Sequence, residues 1–143
     1  MQAREKVIAA FLGMLMCLPT VAAEQSLLAK LDMVNVVEEY KPGCNSKDPN
    51  GCHRMYPSRA QLASAHWLSC TGYVMAKAYS LADQGIARDR MHIATFTRPD
   101  TTKDGHAVLI IDGTHVLDNM TPGVRTLKEY ARFDPAIYPV PWK

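Results

Sequence analysis

The apolar positions change their pattern several times along the chain, and each change predicts a different element. Val7 to Leu18 is an almost unbroken apolar run, preceded by Arg4 and Lys6 and broken by Pro19-Thr20. Leu27, Leu31, Val34 and Val37 then recur at helical spacing after Ser26, which predicts an amphipathic helix over 26–40. Residues 41–57 read as a loop. Ser58 with Gln61 makes a capping-box signature for a short helix reaching His66 and Trp67. Ser69 caps the next helix, which starts at Cys70 and carries Tyr73, Val74, Ala78 and Leu81 toward Gly85, a favoured residue just past a helix end.

Beyond Gly85 the pattern becomes that of strands. Met91 to Arg98 is rich in strand formers, His106 to Ile111 is a continuous apolar run expected of a buried strand, and His115 to Asn119 forms a third strand after Asp112-Gly113-Thr114. Thr126 with Glu129 caps a last short helix, and the proline-rich tail from Pro135 is expected to lie irregularly on the surface. Helices first and an antiparallel meander afterwards predict an α+β fold, with the Cys70 helix packed on a small sheet.

The opening apolar run is too short for the ~20 residues of a spanning helix. Its basic start, apolar middle and small residues Val21-Ala22-Ala23 match a secretory signal peptide, so residues 1–23 are expected to be removed. An uncleaved anchor is the alternative. Residues 24–143 then form one domain, periplasmic or secreted, with no stable membrane insertion. Charge adds little: 16 Lys+Arg face 14 Asp+Glu, which gives no electrostatic reason to expect nucleic acid as a partner.

Four cysteines are present, and export would discard Cys17. Cys44 and Cys52 flank a run of turn formers, and a disulfide closing so short a loop contributes about 2.5 kcal/mol in the chain-entropy picture. That pairing leaves Cys70 as a free thiol in an oxidising compartment. In the first turn of a helix a thiol feels the positive end of the dipole, which favours the thiolate. A nucleophile and a buried structural cysteine are both compatible with that position. A zinc site drawing on Cys52, His53, His66 and Cys70 fits no recognised ligand spacing, so no metal is expected.

A thiolate nucleophile needs an imidazole to move protons and a third group to orient the ring. His106 stands out because it follows Asp104-Gly105 and opens the apolar run of a core strand. Asp118 is the natural orienter on the next strand. Side-chain parity decides whether they meet. A three-residue Asp112-Gly113-Thr114 loop pairs Ile111 with His115 and puts His106 diagonal to Asp118 on one face, whereas a two-residue turn separates them. The three-residue loop is predicted. His53, His92 and His115 lack this context and read as surface or loop residues.

With these pieces in view, Trp67 to Thr121 resembles the bacterial transglutaminase-like cysteine peptidases, exported enzymes on a papain/transglutaminase-type scaffold. The likeness is carried by Cys70-Thr71-Gly72-Tyr73-Val74-Met75-Ala76-Lys77, by Leu81 to Ile86, by Gly105-His106-Ala107-Val108-Leu109 and by Val116-Leu117-Asp118-Asn119. Papain itself is excluded, because its histidine follows the cysteine by ~130–150 residues. The resemblance implies that Cys70 is the nucleophile, His106 the general base and acid, and Asp118 the orienting residue. It further implies that the Cys70 N–H helps hold an oxyanion and that a protein or peptide substrate passes through a thioester.

One departure changes what carries over. The family has acidic residues on both sides of its nucleophile, associated with calcium, where this chain has Leu68-Ser69-Cys70-Thr71-Gly72. A hard cation needs oxygen ligands of that kind, so calcium dependence does not carry over and no cofactor is expected. The same departure keeps open a second function, a catalytically inactive binding module of an envelope or secretion assembly. A small disulfide-stapled structural protein with Cys70 in its core is a third.

Overall fold

A computed structural model of the chain describes residues 18–37, 52–53, 56–65, 67–97 and 105–143. Residues 1–17 lie outside these, as does Cys44, so the Cys44–Cys52 pairing and most of the leader fall outside the described residues. Among them, Cys70 is a free thiol and no helix is long and apolar enough to cross a membrane.

Two compact units divide the chain between Lys30 and Leu31. Helix α1, Leu18–Val37, runs through that division; its described portion up to Lys30 belongs to the first unit. It begins well before the expected start at Ser26, because Ala22, Ala23, Glu24 and Gln25 are good helix formers and nothing among them stops a helix.

In the second unit, β1 (Cys52–His53) pairs in parallel with β2 (Trp67–Leu68). Between them, α2 (Arg59–Ser64) carries the expected capping box, with Gln61 Oε1 accepting from the Ser58 N–H at 2.8 Å. This helix stops earlier than expected, as Ala65 is extended and Trp67 belongs to a strand. A helix of six residues is marginal by itself, and packing of Ala65 and Leu68 with Tyr73 and Leu62 favours leaving it.

Helix α3, Cys70–Asp83, starts and ends as its sequence predicts. Ser69 Oγ accepts from the Gly72 N–H at 3.2 Å. At the other end, Gly85 takes φ +86° while Ile86 N–H bonds to Leu81 O at 3.0 Å and Gly85 N–H to Ala82 O at 3.0 Å. These two bonds define a Schellman motif.

The sheet has five strands in the order β6-β5-β4-β3-β7, all antiparallel. They are β3 (Met91–Thr97), β4 (Gly105–Ile111), β5 (His115–Leu117), β6 (Arg125–Thr126) and β7 (Ala136–Pro139). Helix α3 packs on β4. On the remaining face Ala94, Phe96, Val108, Ile110 and Val116 are closed over by Tyr130, Leu127 and Phe133 from the short helix α4 (Leu127–Tyr130) and the turn after it. Burial on both faces explains why β4 is apolar without alternation.

Three expectations are corrected here. The tail is not irregular: Ala136-Ile137-Tyr138 are compatible with a strand and add β7 to β3, with Tyr138 opposite Ile93. Pro139 is tolerated at the end of an edge strand, where a missing N–H costs no central ladder bond. Cys52 and His53 leave the expected loop for β1, through pairing with residues distant in sequence. His92 and His115, expected on the surface or in loops, are half-buried in β3 and β5.

The predicted loop register is present. Ile111 pairs with His115 and Leu109 with Leu117, so the three-residue loop sets the parity of everything beyond it. Asp112 and Gly113 take φ +53° and +65°, and a Cβ at Gly113 would meet nothing within 4 Å. Gly113→Ala is therefore expected to cost about 1 kcal/mol from conformational strain alone, read as a lower urea midpoint with an unchanged slope.

Candidate active site

Each of the three predicted side chains is positioned by a different element. Cys70 is the first residue of α3, half-buried, and the Ser69 cap fixes where that helix begins. His106 is the second residue of β4, opposite Phe96 of β3. Asp118 directly follows β5, and the loop parity brings it diagonal to His106. His106 is 6% exposed and Asp118 4%.

The three converge. His106 Nε2 donates to Asp118 Oδ1 at 2.8 Å, which leaves Nδ1 for the hydrogen bond that His106 makes with the Cys70 sulfur. Asp118 is fully engaged: Oδ1 also accepts from the Met120 N–H at 2.9 Å, and Oδ2 accepts from the Tyr130 hydroxyl at 2.8 Å. The Tyr130 hydroxyl is in turn 3.3 Å from Thr121 Oγ1. Phe96 stands edge-on to the imidazole with ring centres 5.5 Å apart, and dries that side of it.

Burial opposes charge on both members of the Cys70–His106 pair, and the partners outweigh it. For Cys70, burial pushes the thiol up, but the His106 hydrogen bond, the Ala107 N–H, the His106 charge and the Thr71 N–H together hold it below its ordinary value. For His106, burial pushes the ring down, but bonding to Asp118 and to Cys70 raises it to about 9. Asp118 is raised by burial and lowered more by His106, the Met120 N–H and Tyr130, ending at about 2. These directions favour a thiolate–imidazolium pair at neutral pH.

The linkage has two opposite signs. The raised His106 contributes stability fully present below about pH 6.5 and lost as pH rises through about 9. The depressed Asp118 contributes stability present above about pH 3.9 and lost as pH falls through about 2. Tyr130→Phe removes one of the bonds that hold Asp118 down. It is expected to cost about 1–2 kcal/mol at pH 7 and to move the acid loss to higher pH, as read from urea midpoints across pH.

Several contributors carry no local sequence signal. Tyr130 sits on a helix whose capping box is legible, but that signature does not reveal where the ring points. The Ala107 N–H serves the sulfur only because β4 begins beside α3. Tyr56 takes φ +42°, an uncommon conformation for an aromatic residue, and its hydroxyl lies 2.8 Å from that of Tyr138 on β7. Burial, then Tyr138, then the Cys70 charge hold its phenol strongly raised, so it stays protonated near the sulfur.

The first turn of α3 carries no carboxylate. Among the described residues, no three His, Cys, Asp or Glu side chains stand together as metal ligands. The residues around Cys70 therefore do not fit a hard-cation site.

No protein-family model matches the chain, and no curated protein matches it. Among solved structures it is similar to calcium-bound LapG of Legionella pneumophila, at a TM-score of 0.60 and 16% identity over 76% of this chain. The chain spans 61% of the length of LapG. At that identity the likeness is one of fold: the α+β arrangement of helices with a five-stranded antiparallel sheet is similar to that of LapG.

Proposed function

We propose that this protein is an exported thiol hydrolase, a transglutaminase-like cysteine peptidase acting on a periplasmic or cell-surface protein. The observation that carries the reading is the buried His106, bonded on one side to Asp118 and on the other to Cys70. The fold similar to that of LapG is compatible with this reading. Export rests on the signal-peptide pattern of residues 1–23.

In this reading the Cys70 thiolate attacks the scissile carbonyl, and the Cys70 N–H at the start of α3 donates to the developing oxyanion. His106 then gives its Nδ1 proton to the leaving amine as the C–N bond breaks, which leaves a thioester on Cys70. Water attacks that thioester, His106 takes the water proton, and the acid product departs from the regenerated thiolate. Asp118 holds the ring and stabilises its positive charge throughout. The first turn of α3 offers calcium no carboxylate.

The experiment is acylation of the chain by p-nitrophenyl acetate, followed by intact mass. The expected result is one acetyl group on Cys70, formed in a burst, absent in Cys70→Ala and unchanged by EGTA. An unmodified Cys70 in the native protein would contradict the reading. Leu68-Ser69-Cys70-Thr71-Gly72 departs from the acidic family pattern, which favours a binding module as the second reading. Full biological function in Cys70→Ala would support that module over the enzyme.

A further inference from the structure

A cleft of about 210 Å³ opens beside the site, with His106 and Asp118 at its inner end. Its apolar wall is Phe96, Phe133 and Tyr130; the first two rings stack with centres 5.0 Å apart and planes 10° from parallel. Its polar rim is Thr121, Arg125, Glu129 and Arg132. The volume is below the ~300–1,000 Å³ of whole small-molecule sites, and suits a single side chain.

The charges in the cleft are not equally available. Both Asp118 oxygens are already accepting hydrogen bonds. Glu129 Oε1 accepts from Thr126 at the helix cap, and Oε2 lies 3.9 Å from Arg125 Nη1. Arg132 lies over the Phe133 ring at 4.6 Å and makes no ion pair among the described residues. Among the described residues the uncommitted charge is thus a guanidinium backed by an aromatic face, a geometry suited to a carboxylate on a short hydrocarbon stem.

The position of the cleft relates it to one side of the scissile bond. The acyl half of a substrate bonds to the Cys70 sulfur, and the amine half leaves past the imidazole that protonates it. The cleft is lined by His106 and Asp118, so it adjoins the imidazole that protonates the departing half in this reading. Resting on the hydrolase reading above, we propose that the Phe96–Phe133 cleft is a specificity subsite in which Arg132 receives an acidic side chain from the leaving-group segment of the substrate.

The test uses the full chain and fluorogenic peptides that carry Glu, Gln or Lys at each of the first two positions after the cleaved bond. The expected order of kcat/KM at one of these positions is Glu over Gln over Lys, with Glu about fivefold or more above Gln. Arg132→Glu should invert that order toward Lys, and Arg132→Lys should restore a preference for Glu. Equal cleavage of all three peptides by the native chain, or an order that Arg132→Glu leaves unchanged, would overturn the subsite. Acetylation of Cys70 by p-nitrophenyl acetate, which places nothing in this cleft, shows in parallel whether the hydrolase reading stands. A chain that acetylates but does not discriminate loses the subsite alone, and one that does neither loses both.

Discussion

Replacing His106 by alanine is expected to abolish measurable peptide turnover, a loss of at least about 10³-fold, while the chain still folds. The imidazole has two duties in the proposed reaction, and among the described residues no neighbour can assume either. It is the largest influence holding Cys70 below its ordinary pKa against burial, and among the described residues it is the only titratable side chain hydrogen-bonded to the sulfur. Without it only the Ala107 and Thr71 N–H groups oppose burial, and the thiol pKa rises. The thiolate fraction at pH 6.5 then falls, so alkylation of Cys70 at that pH should slow clearly against the native chain. Turnover should fall further, since the leaving amine also loses its proton donor. Alkylation at the native rate in His106→Ala would separate the sulfur from the imidazole.

The second large effect is at Asp118, where two substitutions separate structure from chemistry. Asp118→Ala leaves the His106 ring, the Met120 N–H and the Tyr130 hydroxyl without their shared acceptor in a buried site. The expected cost is about 3 kcal/mol or more at pH 7, read from urea denaturation. Asp118→Asn keeps the shape and the Oδ1 acceptor, and the Tyr130 hydroxyl can turn to accept from the new amide. It should lose less stability at pH 7 than Asp118→Ala, because the hydrogen-bonded shape is kept while the charge that holds Asp118 down and His106 up is lost. Activity should nevertheless fall by about 10- to 100-fold. The alkaline limb of the pH profile should move from about 9 toward the ordinary histidine value near 6.5, because Asp118 is the largest favourable influence on His106. An unmoved alkaline limb in Asp118→Asn would show that the carboxylate does not govern the ring.

What could be read from residues alone follows the range of the forces involved. The Cys70 helix was legible because its cap, its apolar stripe and its terminal glycine are all local signals. Strand β4 was legible because an apolar run of that length has few other destinations, and the Asp112-Gly113-Thr114 loop carried the register by counting. From that register the proximity of His106 and Asp118 follows, while their approach to Cys70 depends on how α3 packs against β4.

The rest depended on pairing between distant segments. Ala136-Ile137-Tyr138 becomes a strand because the edge of β3 is there to receive it, and its prolines obscure that in sequence. Trp67 leaves the helical pattern because Cys52 pairs beside it. Tyr130 and Phe133 reach the site by closing the face that holds Phe96, a consequence of packing with no periodic signature. The places of His106 and Asp118 were therefore easier to read than their surroundings. Those surroundings supply the cleft and the final hydrogen bond to Asp118.

The most direct measurement is the rate of Cys70 alkylation by iodoacetamide from pH 4 to pH 10, compared with a simple model thiol. A thiolate–imidazolium pair gives a rate that is already high well below pH 8.5 and changes character near pH 9, where His106 loses its proton. A single rise centred near 8.5, following the model thiol throughout, would mean that the sulfur is not activated, and the assignment of Cys70 as a nucleophile would be wrong.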